Sequence, residues 1–145
     1  MGKLIVLEWL DGSGKGTQSR YLAEQLEKAG KKVRLIDFPK YGSDGASLVE
    51  LYLRGGLGGK PEDTGAYAAS MFFAADRYVS YRQEWQKDYL DPDTVLIAYR
   101  YTTANAYHQL SKMERADWDV FLTWLWDFEY ESYAQPRGKR CFGIS

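Results

Sequence analysis

The chain has 145 residues, of which 45% are apolar and 27% are charged, and its formal net charge is −1. This length suits one globular domain with its own core, and the near-neutral charge provides no basic field that would attract nucleic acid or an anionic membrane. The single cysteine, Cys141, excludes an internal disulfide and predicts a cytoplasmic protein, and the single histidine, His108, excludes a multi-histidine metal centre.

The N-terminal segment predicts a strand–helix–strand unit. Residues 3–8 form a short Val/Ile/Leu-rich run, which is typical of a buried parallel strand. Residues 16–28 have apolar side chains at helical spacing, and Gly30 provides a stop signal. A second strand is predicted at 31–37. Because two parallel strands need a crossover, this order predicts a βαβ unit.

The next part of the chain predicts helices around one more strand. After a turn at 38–42, we expect a short helix at 44–54, a loop at 55–63, a long helix at 64–87 and a buried strand at 94–98. The long helix carries apolar side chains at helical spacing, namely Tyr67, Met71, Ala75 and Tyr78. A helical stretch is expected from residue 103, followed by a strongly amphipathic helix with Trp118, Phe121, Leu122, Leu125 and Phe128.

The C-terminal residues have no such pattern. After Tyr130 neither strand nor helix periodicity is visible, so a domain over 1–137 is expected to be followed by an irregular tail at 138–145. Three strands are few for an open parallel sheet, and we therefore expect a fold that is truncated at its C-terminus.

The connection between the first strand and the first helix has the features of a phosphate-binding loop. It reads WLDGSGKGTQ at 9–18, with three glycines around Lys15. Glycines allow backbone amides to approach an anion closely, and the helix N-terminus and the lysine add positive charge. A glycine-rich turn with a solvated lysine is the structural alternative, but the strand before it and the helix after it favour phosphate binding.

Four stretches, in this order, resemble the thymidylate kinase family of nucleoside-monophosphate kinases: LDGSGKGTQ, FPKYG, FFAADRY and YRYTTANAYHQ. Adenylate kinases share the chemistry of the first stretch, whereas the last two resemble thymidylate kinases. The resemblance implies an α/β P-loop kinase fold, with a parallel sheet flanked by helices, that uses ATP and Mg²⁺ to phosphorylate dTMP to dTDP. It also implies a homodimer, for which the 64–87 helix and the aromatic face of 118–128 are candidate surfaces, although both are equally suited to an ordinary core. The choice between dTMP and dUMP stays open.

The resemblance assigns roles to the phosphate loop. Lys15 and the backbone amides of the loop would hold the ATP phosphates. The loop consists of Gly12, Ser13, Gly14, Lys15, Gly16 and Thr17. Thr17 would help to position Mg²⁺, and Asp11 would lie near the acceptor sugar, with a simple turn aspartate as its alternative. Lys15, Asp11 and Arg100 would be the catalytic residues.

The resemblance also assigns a dTMP site. Phe73 would stack on thymine, and Arg77, four residues later on the same helical face, would donate to a base carbonyl. Helical spacing alone would instead make Phe73 a core residue and Arg77 a surface ion-pair partner. Arg100 would clamp the dTMP phosphate, and Asn105 would offer a donor and an acceptor to the base. The other implied dTMP contacts are Asp11, Phe38, Pro39, Tyr41 and Gln109.

Three departures from the family bear on activity. Trp9 stands where the family has glycine, Tyr99 stands where it has aspartate, and the C-terminal lid is not matched. An indole must either displace the loop or rotate away, at a cost in strain or overpacking. A neutral tyrosine lacks the carboxylate that, in the family, helps to organise the magnesium and phosphate environment. The sequence leaves three interpretations open: a kinase with impaired activity, a module that binds dTMP without turnover, or a chain that does not fold stably.

Overall fold

The computed structural model describes residues 3–8, 15–99, 109–132 and 139–142. Its helices and strands are, in chain order, β1 (Lys3–Glu8), α1 (Lys15–Lys28), β2 (Lys32–Asp37), α2 (Ser47–Leu53), α3 (Ala66–Ser80), α4 (Gln86–Leu90), β3 (Thr94–Tyr99), α5 (Trp118–Trp126) and β4 (Lys139–Phe142). The shorter segments are 3₁₀ turns at Asp44–Ala46, Pro61–Asp63 and Arg115–Asp117, and π-helical turns at Tyr81–Trp85 and Asp127–Ser132. None of the helices within the described ranges has the length and apolar character that crossing a membrane requires.

The chain divides into two compact units. The first unit contains Met1–Phe38, Gln83–Tyr101 and Pro136–Ser145, and the second contains Pro39–Arg82 and Thr102–Gln135. All four described strands therefore belong to the first unit, whereas α2, α3 and α5 belong to the second.

The first unit is a parallel sheet with the strand order β2-β3-β1-β4. The central strands β1 and β3 pair in the register Leu4↔Leu96 and Ile5↔Ile97. Both faces of β3 are covered, because Leu96, Ile97 and Ala98 are buried in succession. A continuous apolar run is the pattern expected of such a strand, and the predicted strands at 3–8, 31–37 and 94–98 are confirmed.

One face of this sheet packs on α1. Leu7, Ala23, Val95 and Ile97 form a buried cluster, against which Leu22 and Leu26 of α1 pack. The helical spacing read from residues 16–28 therefore marks the face that covers the sheet. The predicted order of strand, helix and parallel strand is confirmed, with β3 inserted between β1 and β2 in the sheet.

The start of β3 is fixed by Asp91, which follows the end of α4. The Asp91 carboxylate accepts hydrogen bonds from the Asp93 amide, the Thr94 hydroxyl and the Lys32 ammonium group. These donors, the Asp93 amide foremost, hold the pKa of Asp91 below its usual value. Asp91 thus stands in the short connection between the end of α4 at Leu90 and the start of β3 at Thr94.

The strand β4 corrects the expected C-terminal tail. Lys139–Phe142 pairs in parallel with β1, in the register Val6↔Arg140 and Leu7↔Cys141. The prediction of irregular structure is wrong for these four residues, and the sheet has a fourth strand. A strand this short shows no readable periodicity, and its pairing uses backbone groups that any side-chain sequence offers.

The second unit has a core of its own. Leu110, Phe121 and Leu125 form a buried cluster, which confirms the amphipathic helix predicted from 118 onwards. The turn at Asp44–Ala46 lies close to α3, because a Cβ atom on Gly45 would come within 2.7 Å of the Val79 Cβ. Glycine at this position permits that approach.

The long helix predicted at 64–87 is present as α3, the π-helical turn and α4, and the buried face of α3 consists of small and polar side chains. These buried residues of α3 are Ala69, Ser70, Ala74, Asp76, Arg77 and Ser80. Tyr67, Met71 and Tyr78 are exposed. Met71 and Tyr78 of the apolar stripe therefore lie at the surface of the second unit, whereas the Tyr67 ring also meets the rings of Phe121 and Trp124 edge-on, at 5.2 and 4.7 Å. Small side chains can form the buried face because they allow close packing, and the buried charges have partners.

Candidate functional site

The last three residues of the predicted phosphate loop, 15–17, lie in the first turn of α1. Lys15 is the first residue of α1, and Thr17 is exposed in its first turn. The unsatisfied amides and the dipole of a helix of 14 residues favour an anion at this end, and the exposed hydroxyl suits a metal-bound phosphate. The predicted loop residues Asp11, Gly12, Ser13 and Gly14 lie outside the described residues, as does Trp9.

The topology brings the carboxyl ends of β1 and β3 to the same edge of the sheet. The two strands are parallel neighbours, with Leu7 opposite Tyr99. Ligands of open α/β sheets bind at this edge. Arg100 directly follows β3; its structure and that of Asn105 fall outside the described residues.

The turn at 38–42 carries three predicted dTMP contacts in different environments. Phe38 is buried in the first unit, where its ring meets that of Trp85 edge-on at 6.4 Å. Pro39 is half-buried, and Tyr41 is exposed. Phe38 thus contributes to the core of its unit, whichever further role it has.

The same turn is anchored to α3 by a buried carboxylate. The Lys40 amide donates to both oxygens of Asp76, at 3.1 and 3.4 Å, and Asp76 is buried. The Ser43 hydroxyl donates to the Lys40 carbonyl at 2.7 Å, and the Gly42 amide donates to Glu50 Oε1 at 2.6 Å. The side chains of Asp76, Ser43 and Glu50 therefore form the hydrogen bonds that hold the backbone of this turn.

Replacement of Asp76 with asparagine is expected to loosen this turn. The amide side chain keeps an acceptor but loses the charge that strengthens the bond from Lys40, and the free energy of unfolding should fall by about 1–3 kcal/mol. Urea denaturation and the exchange rate of the Lys40 amide measure the effect. The matched control is Asp117→Asn, at an exposed position before α5, and equal effects of the two variants would contradict the anchoring role.

A second cluster surrounds Phe73. The half-buried Phe73 ring meets Tyr52 of α2 edge-on, with ring centroids 6.3 Å apart. The Lys112 ammonium group lies 2.5 Å from the Tyr52 hydroxyl and 3.4 Å from Gln109 Oε1. Gln109 is buried. The structure thus connects two predicted dTMP contacts, Phe73 and Gln109, through Tyr52 and Lys112.

Arg77 lies one turn after Phe73 on α3 and forms a buried ion pair. Its side chain is 2% exposed and that of its partner, Glu129, is 0% exposed. Arg77 Nε donates to Glu129 Oε2 at 3.1 Å, and Nη2 donates to Oε1. The ion pair considered as the structural alternative for Arg77 is therefore present, but in the interior instead of at the surface.

The partners Asp76, Glu129, Tyr52 and Lys112 were not among the predicted site residues. Asp76 stands inside the FFAADRY stretch that carries the resemblance, and Glu129 directly follows Phe128 of the predicted amphipathic helix. Their burial could not be read from hydrophobic periodicity, because a buried charge interrupts the apolar pattern that identifies a core face.

The parallel sheet flanked by helices, with a glycine-rich, lysine-containing connection leading into α1, defines the P-loop kinase class. Within that class, the family model described as thymidylate kinase matches residues 7–130, and the chain belongs to the thymidylate kinase family.

Individual relatives agree with this assignment. A protein described as "Probable thymidylate kinase" from Thermococcus gammatolerans is 32% identical over 124 residues, covering 84% of this chain and 59% of the relative. The human protein described as "Thymidylate kinase" is 38% identical over 77 residues, which are 53% of this chain and 34% of that protein. The solved structure of thymidylate kinase from Candida albicans matches with a TM-score of 0.69 and 25% identity, covering 97% of this chain and 62% of that one.

The matched segments span only part of these relatives, namely 34% of the human protein and 59% of the archaeal protein.

Proposed function

We propose that this protein binds dTMP and ATP and transfers the γ-phosphoryl group of ATP to dTMP, giving dTDP and ADP. The observation that carries this proposal is the arrangement on α3, where a half-buried ring and a buried guanidinium group stand one turn apart. Phe73 is braced by Tyr52, and Arg77 is held by Glu129. A braced ring suits stacking on a base, and an oriented donor suits a base carbonyl.

The transfer itself needs alignment and positive charge more than covalent chemistry. An oxygen of the dTMP phosphate bonds to the γ-phosphorus while the bond from that phosphorus to the β–γ bridging oxygen breaks, and ADP leaves. Lys15 at the start of α1 would hold the ATP phosphates, Arg100 would hold the acceptor phosphate, and Asp11 would lie by the sugar. Mg²⁺ supplies further charge neutralisation when bound, and the exposed Thr17 hydroxyl is suited to its ligand shell.

We further propose a cytoplasmic homodimer. The exposed stripe of Tyr67, Met71 and Tyr78 on α3 supports the helix 64–87 as the contact surface, because its aromatic and thioether side chains are of the types enriched in interfaces. No nucleic-acid or membrane partner is proposed, in keeping with the near-neutral charge.

A second candidate function is a module that binds dTMP without turnover. Trp9 and Tyr99 favour it, because both changes fall at the edge where the phosphates would be aligned, whereas Phe73 and Arg77 lie elsewhere in the chain. Isothermal titration combined with a coupled ADP-release assay separates the two functions: dTMP binding without ADP release supports the module.

The titration also tests the acceptor site. Phe73→Ala is expected to weaken dTMP binding by about 5- to 150-fold, because stacking of a base on an aromatic ring contributes about 1–3 kcal/mol. The control is Tyr21→Ala, which removes an exposed aromatic ring from α1. A folded wild-type protein that binds no dTMP at millimolar concentration would contradict the proposed function, and equal affinities of Phe73→Ala and wild type would contradict the stacking role.

A further inference from the structure

We propose that Glu129 is a positioning residue: it orients the Arg77 guanidinium and compensates its charge, so that Arg77 selects a pyrimidine with a carbonyl group over one with an amino group at the same ring position. This inference rests on the proposed function, because it assumes that Arg77 faces the base of the nucleotide.

The geometry fixes the direction of the guanidinium plane. Glu129 receives hydrogen bonds from Nε and Nη2 of Arg77, which together form one edge of the guanidinium fork. A bidentate contact of this kind defines both the plane and the rotation of the group. The Nη1 side consequently points away from Glu129, and its direction is set by the carboxylate.

The charges of the pair decide which ligand group suits Arg77. Both side chains are buried, at 2% and 0% exposure, and their formal charges cancel. A guanidinium group whose charge is already compensated gains less from a second anion than an uncompensated one would, yet its N–H groups still donate. Arg77 is therefore suited to a neutral carbonyl oxygen of a base and not to a phosphate.

The element that carries Glu129 is itself unusual. Glu129 lies in the π-helical turn Asp127–Ser132 that follows α5, and π-helical turns are frequent at functional sites. The ring of Phe128, the residue before Glu129, stacks on Trp124 of α5 with ring centroids 5.2 Å apart and an interplanar angle of 9°. This stacking fixes the π-helical turn relative to α5. The turn in turn positions the carboxylate of Glu129 beside Arg77 of α3.

The alternative is that the pair only stabilises the fold. A purely structural pair would, when altered, weaken the binding of all nucleotides equally. A positioning residue would change the preference between two nucleotides that differ only in the group that Arg77 recognises. dUMP and dCMP form such a pair, because dUMP carries a carbonyl where dCMP carries an amino group.

The experiment is isothermal titration of dTMP, dUMP and dCMP into the full chain and its Glu129→Gln variant. The wild type is expected to bind dUMP more tightly than dCMP, and Glu129→Gln is expected to reduce this affinity ratio by about tenfold, as for the loss of one well-oriented hydrogen bond to a charged group. The control is Asp88→Asn, which alters the partly exposed pair of Arg34 and Asp88 in the first unit and should leave the ratio unchanged.

A second variant covers the case in which glutamine disturbs folding. Glu129→Asp keeps the charge but withdraws the carboxylate by one methylene group, and it should also reduce the ratio, because position and not charge alone is required. An unchanged ratio in a folded Glu129→Gln or Glu129→Asp variant would overturn the inference. Loss of the fold in both variants, by circular dichroism, would overturn it in favour of the structural alternative. Absence of dTMP binding by the wild type would instead refute the proposed function.

Discussion

Replacing Glu129 with alanine is expected to lower the free energy of unfolding by about 3–5 kcal/mol, the usual effect of removing one partner from a buried ion pair. The variant keeps the Arg77 guanidinium in the interior of the second unit but removes its carboxylate. Since domains of this size are stable by only about 5–15 kcal/mol, such a loss is a large part of the total. Urea denaturation followed by circular dichroism gives the measurement.

A double variant shows whether the charge is responsible. Arg77→Met/Glu129→Leu removes both charges at similar volume, and it should be more stable than Glu129→Ala, because apolar residues can replace a buried ion pair without a large loss. The matched control is Asp88→Ala, which removes the carboxylate partner of Arg34 from a partly exposed pair and should change stability by at most about 1 kcal/mol. A loss from Glu129→Ala no larger than that of the control would contradict the importance of the buried pair.

Restoring the family's residues at positions 9 and 99 is expected to have the largest effect on activity. Trp9→Gly/Tyr99→Asp should increase the rate of dTMP-dependent ADP release by about 100-fold or more, because misalignment of the reacting groups or loss of an organising carboxylate costs at least that factor. Glycine allows the loop amides to approach the phosphates, and the new carboxylate would stand at the end of β3, opposite Leu7 of β1. A coupled assay for ADP, with dTMP and Mg²⁺ present, measures the rate.

Two controls make this result specific. Lys15→Met in the restored variant should abolish the gain, since the lysine is the proposed ligand of the ATP phosphates. Titration with dTMP should give the same affinity for the restored variant and for its Lys15→Met form, because these two proteins differ only at the proposed ligand of the ATP phosphates. Equal ADP release from the original chain and the restored variant would contradict the assignment of these two positions to phosphate alignment.

The elements with strong periodicity were predictable from the sequence. The buried strands β1 and β3 are recognisable as continuous apolar runs. The helices α1 and α5 are recognisable because each has one apolar face. These elements can be predicted from the local sequence, because the apolar side chains that form the periodic pattern are the ones buried in the sheet and in the core clusters. β4 was not predictable, since its pairing with β1 depends on backbone groups supplied by a distant segment.

The candidate site was predictable in its residue types but not in its connections. Phe73 and Arg77 were identified through the resemblance, yet nothing in a single sequence links Arg77 to Glu129, which is 52 positions away. Likewise, buried Asp76 accepts a hydrogen bond from the Lys40 amide, which lies 36 positions earlier in the chain. Polar interactions between distant segments leave no periodic trace, so they require coordinates.

The neighbouring positions 76 and 77 join α3 to two segments that lie on opposite sides of it in the sequence. Asp76 holds the backbone N–H of Lys40, and this bond requires a carboxylate at position 76 and any residue other than proline at position 40. Arg77 requires a particular side chain at position 129. The two links therefore constrain divergence differently. The side chain at position 40 is not constrained by its bond to Asp76, whereas arginine and glutamate at positions 77 and 129 are expected to be retained or replaced together as relatives of this chain diverge.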